Sequence, residues 1–80
     1  NNNISKIEIT NIAKSTLDYI KESVRNKNIS GNYNDTETIN DYEIRKIVEE
    51  DEYYYKCYKI VIEVKKKEQI RRLESYVLQQ

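Results

Sequence analysis

The chain lacks several residue types on which small proteins often rely. Its 80 residues include no His, Pro, Trp, Phe or Met, and only one Cys and one Gly. A single Cys excludes an internal disulfide, and without His the usual ligand sets of zinc and haem are missing. General acid–base catalysis near neutral pH usually employs His, and a Cys nucleophile needs a neighbouring base. The composition therefore predicts a protein that is not an enzyme and that uses no cofactor and no metal.

Long hydrophobic runs are absent as well. No apolar stretch of the sequence approaches the roughly 18 residues that span a bilayer. We therefore expect a soluble protein without a membrane partner, with the cytoplasm as the favoured compartment. A single domain over residues 1–80 buries roughly 60–65 % of its unfolded surface, which leaves no room for a deep cleft between domains. A shallow binding surface is expected.

What the chain does have is tyrosine, with eight residues in all and four of them between Tyr53 and Tyr58. Aromatic and β-branched side chains at this density continue to Val64, and they predict the central strand of a sheet. Even-numbered positions, with Tyr54 and Tyr58 among them, form its apolar face. The odd-numbered positions from Tyr53 to Glu63 form a mixed face that is either half-buried or exposed to a partner.

A helix is predicted upstream, because apolar residues recur there at spacings of three and four. They are Ile12, Ala13, Leu17, Ile20 and Val24. Thr10 or Asn11 would cap this helix, and Asn28 or Gly31 would end it with a left-handed backbone. The isoleucines within residues 4–9 predict a short strand before it, or a lead-in to the helix.

The middle of the chain has loop and hairpin chemistry. Residues 31–40 combine Asn, Asp and Thr with the only Gly, which predicts a mobile loop. Residues 41–52 favour a strand with alternating apolar and charged positions, and a helix capped by Asn40 is the alternative. The acidic run Glu49–Glu52 then forms an exposed hairpin tip. Because Asn-Gly and Asp-Gly are missing there, we expect a turn that is longer than two residues or bulged.

The C-terminal segment fits two structures. Ile70, Leu73 and Val77 recur at helical spacing, whereas Ile70, Tyr76 and Leu78 share one face of a strand. The predicted fold class is therefore α+β, with one N-terminal helix packed on a small antiparallel β-sheet. The C-terminal element is helix or strand, with helix the preferred alternative.

The order of elements resembles the cystatin-like arrangement, in which an antiparallel sheet wraps a helix. The resemblance covers about residues 10–80 and includes the pattern Tyr-x-Ile-x-Ile-x-Val from Tyr58 to Val64. The family's protease-blocking hairpin carries Gln-x-Val-x-Gly, and the matching stretch here, residues 51–55, reads Asp-Glu-Tyr-Tyr-Tyr. A Pro-Trp hairpin is absent too. The resemblance therefore implies the fold without implying inhibition of cysteine proteases.

Charge is segregated along the chain although its sum is zero. Basic and acidic side chains number 5 and 3 in residues 1–34, 2 and 8 in residues 35–55, and 7 and 3 in residues 56–80. Such a distribution can steer association with a charged partner. Neutralisation between neighbouring elements of the fold is the alternative.

The first functional hypothesis is a non-enzymatic protein-binding module or inhibitor, of a kind encoded by phages and mobile elements. Tyr gives rigid, amphipathic contact area and is enriched at interfaces. The partner would be another protein with a basic groove, or a second copy in a homodimer. The predicted partner-binding residues are Tyr53, Tyr55, Glu49, Glu50, Asp51 and Glu52.

The second hypothesis is nucleic-acid binding through the basic C-terminal third, where cations would contact phosphates and tyrosines would stack on bases. It ranks second because the neutral overall charge is unusual for such a domain. The residues concerned are Lys56, Lys59, Lys65, Lys66, Lys67, Arg71 and Arg72.

Overall fold

The computed structural model of the chain describes residues 2–79, as one helix followed by four strands. The elements are α1 (Asn2–Arg25), β1 (Tyr33–Ile39), β2 (Tyr42–Glu50), β3 (Cys57–Lys66) and β4 (Gln69–Leu78). The strands form one antiparallel sheet in the order β1-β2-β3-β4, and α1 packs across β3 and β4. The predicted α+β class, with an N-terminal helix on a small antiparallel sheet, is confirmed.

The core lies between α1 and the inner face of the sheet, which is the face that α1 covers. Its buried residues come from one stripe of α1 and from alternate positions of β2, β3 and β4. They are Ile9, Ala13, Ile20, Val24, Tyr42, Ile44, Val48, Tyr58, Ile60, Ile62, Val64 and Val77. β3 has a strand on each side, and its alternate positions from Tyr58 to Val64 are all buried. The prediction of a central strand with one apolar face is confirmed for this part of the segment.

The helix begins earlier than the sequence pattern predicts. The short strand expected in residues 4–9 is wrong because those residues lie within α1, and the expected caps Thr10 and Asn11 lie in its interior. Ile9 is buried four residues before Ala13, on the same helical face. Packing on the sheet therefore extends the helix toward the N-terminus.

The helix ends in a Schellman motif built on a lysine. The amide of Asn28 donates a hydrogen bond to the carbonyl of Ser23 at 2.9 Å. The amide of Lys27 donates to the carbonyl of Val24 at 3.1 Å, and Lys27 has a left-handed φ of 62°. These bonds satisfy carbonyls that the helix leaves free at its end. Gly31 does adopt a φ of 75°, but the prediction that Asn28 or Gly31 ends the helix is wrong.

We expect Lys27→Gly to raise the free energy of unfolding by about 0.5–1 kcal/mol, because glycine adopts the left-handed conformation without the steric cost of a Cβ. Urea denaturation at neutral pH measures the change. Lys14→Gly, at an exposed position inside α1, is the control and should lower stability by about 1 kcal/mol. A loss of stability in both variants would contradict the role assigned to Lys27.

The segment predicted as a mobile loop, residues 31–40, is mostly strand. β1 spans Tyr33–Ile39 and pairs with β2, so that Ile39 lies opposite Tyr42 across a two-residue turn. Asn40 in that turn has a φ of 55°, a conformation that Asn tolerates better than most residues. The sequence pattern did not predict this strand because most of its residues are polar. Polar residues are suited to this edge of the sheet, since α1 does not cover it.

An ion-pair cluster attaches β1 to the inner face of β2. The Nζ of Lys46 lies 2.8 Å from Glu37 and 3.4 Å from Asp35. Burial lowers the pKa of Lys46, but the hydrogen bonds to Glu37 and Asp35 outweigh it, so that the pKa is raised overall. The predicted β2 strand, with Lys46 alternating between apolar residues, is confirmed.

The C-terminal segment is a strand, so the preference for a helix is wrong. Leu73 lies opposite Ile62 and Val77 opposite Tyr58, and both extend the inner face of the sheet. A spacing of four residues keeps side chains on one side of a strand as well as on one side of a helix. The spacing allowed a helix or a strand. The segment is a strand because it pairs with the edge of β3 that β2 leaves open.

The N-terminal half of α1 is attached to β2 through Tyr42. Its hydroxyl donates a hydrogen bond to the carboxylate of Glu8 at 2.7 Å, and the Nζ of Lys66 lies 4.8 Å from the centre of its ring. The bond to Glu8 is the main reason why the pKa of Tyr42 is raised above its ordinary value of 10.0, and burial acts in the same direction. This contact exists only while the hydroxyl is protonated.

Stability should therefore fall in the alkaline range. A raised pKa in the folded state gives a contribution that is present below the unfolded pKa of about 10 and is lost as pH rises through the folded value. We expect the difference in unfolding free energy between the wild type and Tyr42→Phe to be constant below about pH 10 and to shrink as the pH rises above that value. Tyr19→Phe, which alters an exposed tyrosine of α1, is the control. A difference that stayed constant above about pH 10 would contradict the role of the Glu8 bond.

Candidate functional site

The connection between β2 and β3, residues 51–56, forms a loop at one end of the sheet, here called the tyrosine loop. Tyr53, Tyr54 and Tyr55 are 86 %, 68 % and 88 % exposed. Sequence reasoning placed all three in the strand, but β3 begins only at Cys57, so that prediction is wrong for this stretch. Tyr53 and Tyr55 are exposed as the mixed face allowed, whereas Tyr54 was assigned to the apolar face and is exposed as well. Three consecutive rings therefore project from one loop.

The side chain of Asp51 organises this loop. Its Oδ1 accepts hydrogen bonds from the amides of Tyr53 at 2.8 Å and Tyr54 at 3.0 Å. The amide of Asp51 donates to the carbonyl of Cys57 at 2.9 Å, and the amide of Cys57 donates to the carbonyl of Tyr54 at 3.2 Å. The prediction of a turn longer than two residues is confirmed, and an aspartate in place of Asn-Gly chemistry stabilises it.

Gln79 connects the tyrosine loop to the end of α1. Its amide donates to the carbonyl of Lys56 at 2.8 Å, and its Nε2 donates to the carbonyl of Val24 at 2.9 Å. Its Oε1 accepts from the hydroxyl of Tyr58 at 3.5 Å. Sequence reasoning did not identify Gln79, because a polar residue near the end of a chain gives no signal of its contacts.

A cavity of about 220 Å³ lies at the base of the loop. It is lined by the rings of the loop and by residues of both charges, which are Glu50, Asp51, Tyr54, Tyr55, Lys56, Cys57, Tyr58 and Gln79. The Nζ of Lys56 lies 5.6 Å from the centre of the Tyr55 ring, so this ring already contacts a cation. A carboxylate next to aromatic rings is suited to a Lys or Arg side chain from a partner.

The four consecutive acidic residues do not form one surface. Glu49 lies opposite Lys59 on the outer face of the sheet, and Glu50 lies opposite Tyr58 on the inner side. Neighbouring residues of a strand point to opposite faces, so these two carboxylates are separated. Asp51 is engaged with the loop backbone, while Glu52 is exposed beside Tyr53. The predicted hairpin tip is confirmed only in part, because Glu49 and Glu50 are the last residues of β2 and only Asp51 and Glu52 lie in the loop. Of the four carboxylates, those of Glu50 and Asp51 line the cavity.

The seven basic residues of the second hypothesis are spread over the sheet. Lys56 lies in the tyrosine loop, whereas Lys65–Lys67 lie at the other end of β3, about 33 Å away for a strand of ten residues. Arg71 lies on the inner side of β4, and Arg72 lies on the outer side, 2.8 Å from Glu74. Lys59 lies on the outer face between these two ends. Nucleic-acid binding stays a prediction, but these residues do not share one continuous surface.

The strand register also brings the segregated charges together. On the outer face Glu43 lies opposite Lys65, and Glu63 lies between Arg45 and Arg72. Opposite charges directly across an antiparallel pair attract each other. Opposite charges on β2, β3 and β4 therefore neutralise each other on this face.

No protein-family model, curated protein or solved structure matches the chain. The cystatin-like relationship stays a prediction. Within residues 2–79, no three His, Cys, Asp or Glu side chains are grouped so that they could hold a metal ion. No helix in the same range is long and apolar enough to cross a membrane.

We expect Asp51→Ala to lower the free energy of unfolding by about 0.5–2 kcal/mol, the range seen when a capping acceptor is removed. Asp51→Asn keeps the Oδ1 acceptor and should stay within about 0.5 kcal/mol of the wild type. Thermal denaturation compares the two, and hydrogen exchange at the Tyr53 and Tyr54 amides reports the loop directly. Equal losses in both variants would show that the charge of Asp51, and not its two hydrogen bonds, stabilises the loop.

Proposed function

We propose that the protein is a non-enzymatic protein-binding module that binds its partner through the tyrosine loop. The observation that carries the proposal is the exposure of Tyr53, Tyr54 and Tyr55 on a loop whose backbone is held by side-chain and main-chain hydrogen bonds. Tyrosine offers a large amphipathic surface with few rotatable bonds, and for this reason it dominates the binding loops of antibodies. Exposed aromatic rings in water are otherwise unfavourable.

The rigidity of the loop supports binding because it lowers the entropic cost of association. Asp51 holds the front of the loop, and Gln79 ties its base to α1. A loop that is ordered before binding loses less conformational freedom at the interface. The same exposed rings on a disordered segment would bind more weakly.

The charge around the rings supports a basic partner. Glu50 lines the cavity and Glu52 lies exposed beside the rings. A Lys or Arg of the partner would place its cation between these carboxylates and the ring of Tyr54, because Lys56 already lies against the ring of Tyr55. Inhibition is the proposed consequence when the surface covered on the partner is a functional groove, as for small inhibitors from phages and mobile elements.

The test is a capture experiment followed by an affinity measurement. Immobilised wild type is compared with Tyr53→Ser, Tyr55→Ser for recovery of a partner from lysate of the source organism, and the Kd is then measured with the purified partner. We expect the double variant to bind the partner with an affinity about tenfold to a hundredfold lower, because tyrosines at the centre of an interface often contribute most of the binding energy. Tyr19→Ser, which changes an exposed tyrosine on α1, is the control and should bind as the wild type does. Undiminished binding by the double variant would reject the tyrosine loop as the interface.

An oligonucleotide titration separates the two functional hypotheses. Single- and double-stranded oligonucleotides are added at low and at physiological salt, because phosphate contacts weaken steeply as salt rises. We expect no binding at either salt concentration. Salt-sensitive binding that Tyr53→Ser, Tyr55→Ser leaves intact would favour the nucleic-acid hypothesis instead.

A further inference from the structure

β4 is an edge strand with one partner. It pairs with β3 over all ten of its residues, and within residues 2–79 no strand pairs with its other side. About half of the backbone amides and carbonyls of such a strand point away from the sheet and can pair with another extended chain. Addition of a peptide strand to a sheet edge is a common form of protein recognition.

The outer side of this edge is apolar and exposed. Ile70, Tyr76 and Leu78 share the outer face of β4 and are 59 %, 59 % and 67 % exposed. Arg72 and Glu74 lie between them and pair with each other at 2.8 Å, so they leave little net charge there. A strand added to β4 would place every second side chain beside these apolar residues.

The inner side of the same edge is basic. Lys6 and Thr10 of α1 line a cleft of about 340 Å³ together with Gln69, Ile70 and Arg71. Three further residues follow Thr10 along α1 at steps of four, three and four. They are Lys14, Leu17 and Lys21, and this spacing places them on the same flank of the helix as Lys6 and Thr10. This flank has no acidic residue. An added strand would bring its other set of side chains beside these lysines and Arg71.

From these features we infer that the outer edge of β4 binds an extended segment of a partner protein in which acidic and apolar side chains alternate. The acidic residues face Arg71 and the lysine flank of α1, and the apolar residues face Ile70, Tyr76 and Leu78. The backbone of the segment pairs with β4. This surface adjoins the tyrosine loop only at Leu78, which lies opposite Cys57, and the inference does not rest on the function proposed for that loop.

A second copy of the chain fits this edge less well. Antiparallel pairing centred on Leu73 would set Arg72 of each copy opposite Glu74 of the other, which is favourable. It would also bring the two α1 helices to about 10 Å from each other, given the strand spacing of about 4.8 Å. Their lysine flanks would then face each other, and like charges repel. A nucleic acid would use the cations but neither the free backbone groups nor the apolar side.

The experiment uses a fluorescein-labelled peptide of about eight residues, the length of a typical strand, in which Glu and Val alternate. Fluorescence anisotropy with the full chain should show saturable binding that weakens with salt. A peptide of equal composition in the order Glu-Glu-Val-Val should bind about tenfold more weakly or worse, because its side chains do not segregate to two sides. Methylation of alternate backbone nitrogens of the alternating peptide should abolish binding.

Variants locate the binding surface. Lys14→Gln, Arg71→Gln removes two exposed cations of the inner side, and we expect about a tenfold loss, equivalent to roughly 1.4 kcal/mol. Lys59→Gln, Lys65→Gln removes the same charge from the outer face of β3 and should change the Kd by less than about twofold. Tyr53→Ser, Tyr55→Ser should bind the peptide as the wild type does. A failure of the tyrosine-loop proposal would leave all these results unchanged.

Four results would overturn the inference. They are the absence of saturable binding up to about 1 mM peptide, equal affinity for the Glu-Glu-Val-Val peptide, displacement of the peptide by an equimolar single-stranded oligonucleotide, and a stable dimer by sedimentation that Arg72→Glu dissociates. The third result would assign the edge to nucleic acid, and the fourth would assign it to a second copy.

Discussion

The structure depends on the packing of one helical stripe against the inner face of β3. Ile60, Ile62 and Val64 are completely buried beneath α1, and β3 also provides the hydrogen-bonded edges for both β2 and β4. A domain of 80 residues has a total stability of about 4–12 kcal/mol. Truncation of one buried Ile to Ala commonly costs about 2–5 kcal/mol. Each of these contacts is therefore a substantial share of what keeps the chain folded.

Two features of the fold limit the surface that is available for binding. The helix α1 covers the inner face of part of the sheet, and the strand register pairs opposite charges on the outer face. The helix crosses β3 and β4, so β1 is held mainly by its ladder and by Lys46, and only its Tyr33 packs against the core. On the outer face, acidic and basic residues meet across strands. The carboxylates at the tyrosine loop and the cations beside the edge of β4 lie apart from these pairs. The two proposed surfaces are thus of opposite charge, one at the loop between β2 and β3 and the other along β4.

The fold could be predicted where apolar residues recur with a clear helical or strand period. The candidate site could be predicted only in part. The stripe from Ile12 to Val24 and the alternation from Tyr58 to Val64 predicted helix and central strand correctly. β1 was missed because its polar sequence lacks an apolar face, although Asn40-Asp41 between Ile39 and Tyr42 is a hairpin signal that could have revealed it. In the site, Tyr53 and Tyr55 were identified from composition, whereas Tyr54 was misplaced because the strand was started four residues too early.

The sequence by itself determined that one helix would pack on an antiparallel sheet, because the periods of 3.6 and 2 are properties of the local backbone. It also determined that three adjacent tyrosines would stand among acidic residues. Only the tertiary structure decided that residues 69–78 are a strand, since a spacing of four fits both elements and the open edge of β3 had to be paired. It alone decided that Asp51 and Gln79 hold the tyrosine loop in place. Those bonds join groups whose partners are set by chain folding and not by any local pattern.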